Sequence, residues 1–178
     1  MDIIAHSMSG ILLGQMAMKE DTKTERRYYF GVCVLGLILP DIDAISYLFG
    51  PDAFAAVHQR FTHTIFAVAI FPLIIAWMLH HWDKKHSYIR TYLLLLIGMM
   101  VHISEDLIAH WPVEFFHPLS KKGWTFGLIQ KDFSLVVDFI FIGGAMLSFY
   151  DKLAKYRRWV AGVTFLAVLA YLLSGPGY

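Results

Sequence analysis

Histidine and aspartate residues recur at suggestive spacings in a chain that is otherwise apolar enough for a lipid bilayer. Leu39-Pro40-Asp41-Ile42-Asp43 sets carboxylates directly after a proline, inside an apolar run. His58-Gln59-Arg60-Phe61-Thr62-His63-Thr64 follows, and His102 and Asp106 stand i, i+4, one turn apart on a single helix face. Asp41 and Asp43 would diverge on a regular helix, whereas irregular backbone after Pro40 lets them converge. His58 and His63 meet only if the chain turns between them, at Gln59-Arg60. Ionisable groups at membrane depth are costly, so a functional role is the default reading. Imidazole and carboxylate donors without thiolate suit zinc, manganese or iron and exclude a four-cysteine structural site. Spare carboxylates are the style of a catalytic metal, which leaves positions for water.

The elements that must position these residues are membrane spans. The chain has 178 residues, 57% hydrophobic and only 16% charged. Soluble domains run nearer 45–50% apolar and roughly 25% charged. We expect one integral membrane domain over residues 1–178, an all-α polytopic transmembrane bundle of about 5–6 helices. The formal charge of +1 gives no basis for a nucleic-acid partner, the lone Cys33 allows no intrachain disulfide, and nothing sets an oligomeric state. No basic n-region or Ala-x-Ala site marks a cleavable signal at the N-terminus.

Hydropathy places helices over Ile3 to Met18, Phe30 to Phe49, Phe61 to His80, Arg90 to Ala109, Leu135 to Tyr150 and Trp159 to Leu173. The second is broken at Pro40, which lacks an N–H and disfavours helix at Leu39. Lys19 to Tyr29 reads as a charged loop and Gly50 to Arg60 as a short connection. His110 to Phe133 reads as a long outer-side loop with an interfacial piece around Trp111, Phe115, Phe116 and Trp124, aromatic residues that favour headgroup level. Gly10 and Gly14 suit close helix packing.

If the segments alternate, one side receives Lys19, Lys23, Arg26, Arg27, Lys84, Lys85, Arg90, Lys152, Lys155, Arg157 and Arg158. The other receives only Arg60, Lys121, Lys122 and Lys131. The positive-inside rule makes the first side cytoplasmic. His6, Asp41, Asp43, His58, His63, His102, Glu105, Asp106, His110, His117 and Asp138 then all fall in one outer layer, while His80, His81 and His86 belong to a cytoplasmic polar turn.

In that order, His6, Leu39-Pro40-Asp41-Ile42-Asp43, His58-x-x-x-Thr62-His63-Thr64 and His102-x-x-x-Asp106 resemble the membrane-bound metal-dependent hydrolases, LexA-regulated inner-membrane proteins formerly called a domain of unknown function. The resemblance runs from about Met1 to Asp138, and that family is similar at a distance to zinc phospholipase C. It implies a metal-binding set of His6, Asp41, Asp43, His58, His63, His102 and Asp106. Many members carry His-Arg-Gly where this chain has His58-Gln59-Arg60, so the arginine stands one place later.

The mechanism expected from these residues is metal-assisted hydrolysis at the outer face of the inner membrane. A divalent ion, zinc foremost, would acidify a bound water. Asp43 or Glu105 would accept its proton, and Arg60 would stabilise charge developing on a phosphoryl oxygen. A site at headgroup depth points to a lipid or lipid-linked substrate, and phosphoester chemistry follows from the resemblance. No Gly-x-Ser-x-Gly or His-Glu-x-x-His is present. The alternative is a metal-ion or proton-coupled transporter using the same layer. Such folds tend to carry internal repeats and midplane sites, and this sequence shows neither.

Overall fold

The computed structural model describes residues 3–17, 22–109, 112–128 and 131–174, and the side chains of 131–134 are not among the features described. His110 and Trp111 lie outside the described residues. The chain is an all-α bundle. Its elements are α1 (Ile3–Ala17), α2 (Lys23–Ile38), a 3-10 helix (Pro40–Phe49), α3 (Pro51–Val57), α4 (Ile65–Trp82), α5 (Tyr88–Ile108), α6 (Lys131–Phe149), a second 3-10 helix (Asp151–Tyr156) and α7 (Arg157–Leu173). Among the described residues, 3 stretches are long and apolar enough to cross a membrane: Ile65–Trp82, Tyr88–Ile108 and Asp151–Leu173. The count becomes 4 if α2 and the first 3-10 helix make one broken span. Ile3–Ala17 and Leu135–Phe149 are apolar but shorter.

The break falls where Pro40 demands it. The axis of α2 turns by 59° into the first 3-10 helix, and Pro40 occupies a first-turn position, where its missing N–H costs least. A 3-10 run of 10 residues is long for that geometry. Helix starts differ from the hydropathy reading for local reasons. α2 begins at Lys23, inside the expected loop, because Thr22 and Glu25 form a reciprocal capping box. α3 occupies the expected connection, with Pro51 at its start. α6 begins at Lys131, ahead of the apolar run.

The bundle is closed by small-residue crossings. A Cβ on Gly98 of α5 would lie 2.9 Å from the Gly36 Cα of α2, so these helices touch backbone to backbone. Gly10 likewise lets α1 approach Val34 and Leu37 of α2. Segment 112–128 folds over the end of α5. An isolated bridge pairs Val113 with Trp124, Leu107 and Ile108 accept from Phe126 and Leu128, and Phe115 accepts from Ile65 at the start of α4. At the opposite end of α5, His86 stacks on Tyr28 at 3.7 Å and Arg90 lies over Tyr29.

Candidate metal centre

The elements just described deliver histidine and aspartate to one end of the bundle. His6 comes from the first turns of α1, Asp41 and Asp43 from the 3-10 helix after the break, and His102, Glu105 and Asp106 from the last turns of α5. His58 and His63 come from the turn between α3 and α4. That turn exists because Gln59 adopts a φ of 61°, a left-handed conformation that is uncommon for a residue with a side chain. His6, Asp41, His63, His102, Glu105 and Asp106 are all buried.

His63 Nε2 and His102 Nε2 face one another at 3.1 Å. Asp106 Oδ2 lies 3.3 Å from the first and 3.4 Å from the second. Asp41 Oδ1 lies 3.6 Å from each. A tetrahedral ion bound at about 2.0–2.1 Å by nitrogen and oxygen spaces its donors about 3.3 Å apart. The His63, His102 and Asp106 edges of 3.1 to 3.4 Å match that spacing, with Asp41 slightly farther from both imidazoles, and imidazole with carboxylate is the donor chemistry that zinc and its neighbours take.

Tautomers are fixed from outside the cluster. His102 Nδ1 donates to the carbonyl oxygen of Leu37, leaving Nε2 with its lone pair inward. Pro40, three residues beyond Leu37, has no N–H to satisfy that carbonyl in a 3-10 pattern, so the break that turns Asp41 inward also helps to free the acceptor that holds His102. Thr62 Oγ1 donates to Asp43 Oδ2 at 2.8 Å. Having spent its one proton, it accepts from His63 Nδ1 at 3.0 Å, which again turns Nε2 inward. Such outer partners are what orient metal-binding imidazoles. Burial pulls the His63 imidazole down, but hydrogen bonds to Asp106 and Asp41 and the charges of Asp106 and Asp43 outweigh it, pushing it up to about 9. A proton and a cation would compete for the same Nε2 lone pair.

The remaining residues surround this cluster. His6 stacks on His102 at 3.8 Å. Its Nδ1 lies 2.7 Å from Glu105 Oε2 and its Nε2 lies 3.1 Å from Asp106 Oδ1. Ser9 also donates to Glu105 Oε2, at 3.2 Å. His58 Nδ1 lies 3.0 Å from Asp43 Oδ1. Three overlapping groups could hold an ion: His6, Asp41 and His102; Asp41, His58 and His63; and His63, His102 and Asp106. Asp41 and His58 border a cavity of about 650 Å³ that also reaches Ile3, Arg60 and Glu114. Arg60 is paired to Glu114 through Nε at 3.2 Å, and His117 holds the other oxygen of that carboxylate at 3.0 Å. Asp138 is buried on α6.

The orienting role of Thr62, the Leu37 carbonyl, Ser9 and the Gly36–Gly98 crossing have no signature in residue type and spacing. Thr62 was visible as a motif position. The other three emerge only from helix packing.

A helical membrane bundle enclosing buried His/Asp groups that could hold a divalent ion defines the class of protein. The chain belongs to the YdjM inner membrane protein family, whose sequence pattern matches residues 1–176. It is 27% identical over 182 aligned residues to the uncharacterized protein YfhP of Bacillus subtilis (strain 168), covering 98% of this chain and 52% of that one. The chain thus spans about half the length of that curated relative. No solved structure matches. Family membership supports an inner-membrane location, and the buried His/Asp groups are suited to a divalent ion.

Proposed function

We propose that the protein is a membrane-embedded metal-dependent hydrolase acting on a lipid or lipid-linked phosphoester at the outer face of the inner membrane. The observation that carries this reading is the convergence of His63, His102, Asp41 and Asp106 at edges of 3.1 to 3.6 Å, beside a cavity bordered by His58 and Arg60. In this reading residues 1–178 act as one membrane domain of about 5–6 embedded helices, the shorter α1 and α6 included, with segment 112–128 at outer headgroup level. The lysine and arginine asymmetry supports that orientation.

Those four residues would hold the principal ion, with zinc the expected metal, and His6 and His58 extend the donor set on either side. A bound divalent ion supplies an acidified water and charge neutralisation. The chain's own groups do the rest. Asp43 accepts a proton arriving from the cavity through His58, whose Nδ1 it holds. Glu105 fixes His6 from behind, through Nδ1. Arg60 turns from Glu114 toward a phosphoryl oxygen, a planar donor suited to that anion.

The test is elemental analysis of the purified protein together with a turnover assay. Wild type should retain about one or more ions per chain, with His63→Ala and Asp106→Ala losing them. A panel of phospholipids and lipid phosphates should be cleaved, and chelator should abolish cleavage. Metal-dependent ion flux across liposomes with no turnover would overturn the reading in favour of a transporter.

A further inference from the structure

The first 3-10 helix and α3 form a hairpin that turns at Gly50, where a φ of 108° favours glycine. Tyr47 meets Phe54 edge to face at 5.8 Å, and Phe54 stacks on His58 at 4.3 Å. Aromatic contacts therefore run from the hairpin to the centre. The outer edge of the hairpin carries Ile42, Ile45, Leu48 and Phe49, exposed by 57%, 65%, 80% and 82%. Large apolar residues so concentrated on one short element mark a surface that something covers. The element continues α2 after a 59° bend, and the pair together is apolar enough for a broken span or a re-entrant loop. That continuity makes the bilayer the covering partner. An apolar edge on the bent half of such a pair suits the headgroup–acyl boundary.

The inner side of the same hairpin supplies Ala44, Phe54 and Ala55 to the wall of the cavity that Asp41 and His58 border. Arg60 and Glu114 line it as well. The cavity is thus amphiphilic, with an apolar wall that belongs to the membrane-facing element and a charged wall that belongs to the loops. Its size of about 650 Å³ is in the range of sites that enclose a small-molecule-sized group.

We propose that this hairpin is the membrane-side door of the site. A bilayer lipid enters laterally past it and sets its phosphate between His58 and Arg60, beside the ion that Asp41 helps to hold, with its polar head toward Glu114. Its chains stay in the bilayer against Ile45, Leu48 and Phe49. The substrate class rests on the hydrolase reading; the lateral entry of a lipid rests on the hairpin and the cavity alone.

The experiment uses the full chain, metal-loaded, in phospholipid vesicles. A photoreactive benzoyl-phenylalanine replaces Phe54 in the cavity or Phe49 at the outer edge, and retained metal content reports folding. Both positions should capture phospholipid, read as adduct mass. Capture at Phe49 without Phe54 would show a cavity closed to the bilayer, and capture at neither would place the hairpin outside it. Either result overturns the proposal. In parallel, Leu48→Glu with Phe49→Glu should lower turnover of vesicle phospholipid by about tenfold or more while leaving a water-soluble phosphoester within about twofold. Equal loss on both substrates would also overturn it. A protein inert toward every phosphoester would remove the hydrolase reading, and the crosslinks would still decide the door.

Discussion

The Nδ1 of His102 donates to the carbonyl oxygen of Leu37, joining the last turn of α2 to the last turns of α5. The bond forms where these helices touch, with a Gly98 Cβ position only 2.9 Å from the Gly36 Cα. Gly98→Ala is therefore expected to push α2 off α5 and loosen His102, although it touches none of the candidate donors. Overpacking of this kind costs about 1–3 kcal/mol, and disturbed outer partners lower metal affinity by roughly 10–100-fold. Chelator competition on the purified protein measures the change. Wild-type affinity in a folded Gly98→Ala protein would dismiss the crossing as an orienting device.

Thr62 is expected to matter through its hydroxyl alone. It bridges Asp43 and His63 at 2.8 and 3.0 Å, so Thr62→Val keeps the shape while leaving buried polar atoms without their partner. Metal affinity should fall by roughly 10–100-fold, and Thr62→Ser should restore most of it. If Thr62→Ser binds as poorly as Thr62→Val, methyl packing and not the hydrogen bonds holds His63 in place.

Much of this arrangement was legible in the residues because polar groups stand out against an apolar background. Pro40 announced the break, and His102 with Asp106 announced a shared helix face. The start of α2 was also legible, in the Thr22-x-x-Glu25 capping signal, but hydropathy alone hid it among charged residues. Contacts set by helix crossing were not legible. Nothing in the local sequence says that Gly36 faces Gly98, so neither the Leu37 acceptor nor the stacking of His6 on His102 could be read. The placement of Glu105 shows the same limit. Its spacing puts it beside Asp106, yet only the packing of α1 sets it behind His6.

Metal binding should release protons, with a definite sign. The folded His63 sits at about 9 against an ordinary 6.5. Its proton therefore stabilises the metal-free protein fully below pH 6.5, and that contribution fades as pH rises through about 9. A cation must displace this proton, so affinity runs the other way. It should rise with pH by up to about tenfold per unit below about 9 and then level off. Calorimetry in buffers of different ionisation enthalpy would count the released protons. An affinity flat between about pH 6 and 8 would contradict a metal at Nε2 of His63.

Glu105→Gln separates orientation from proton transfer. Glu105 Oε2 receives both His6 Nδ1 at 2.7 Å and the Ser9 hydroxyl at 3.2 Å, whereas Asp43 holds the histidine that borders the cavity. If Glu105 only fixes His6, the neutral amide should weaken metal retention by about tenfold and leave the acid limb of the turnover profile in place once metal is saturating. If Glu105 takes the proton itself, retention should hold while kcat falls by roughly 10²–10⁴-fold and the acid limb disappears. The geometry favours the first outcome, because the carboxylate lies on the far side of the His6 ring from Asp106. Asp43→Asn is the matched control, expected to lose kcat at saturating metal because His58 then has no charged partner at Nδ1.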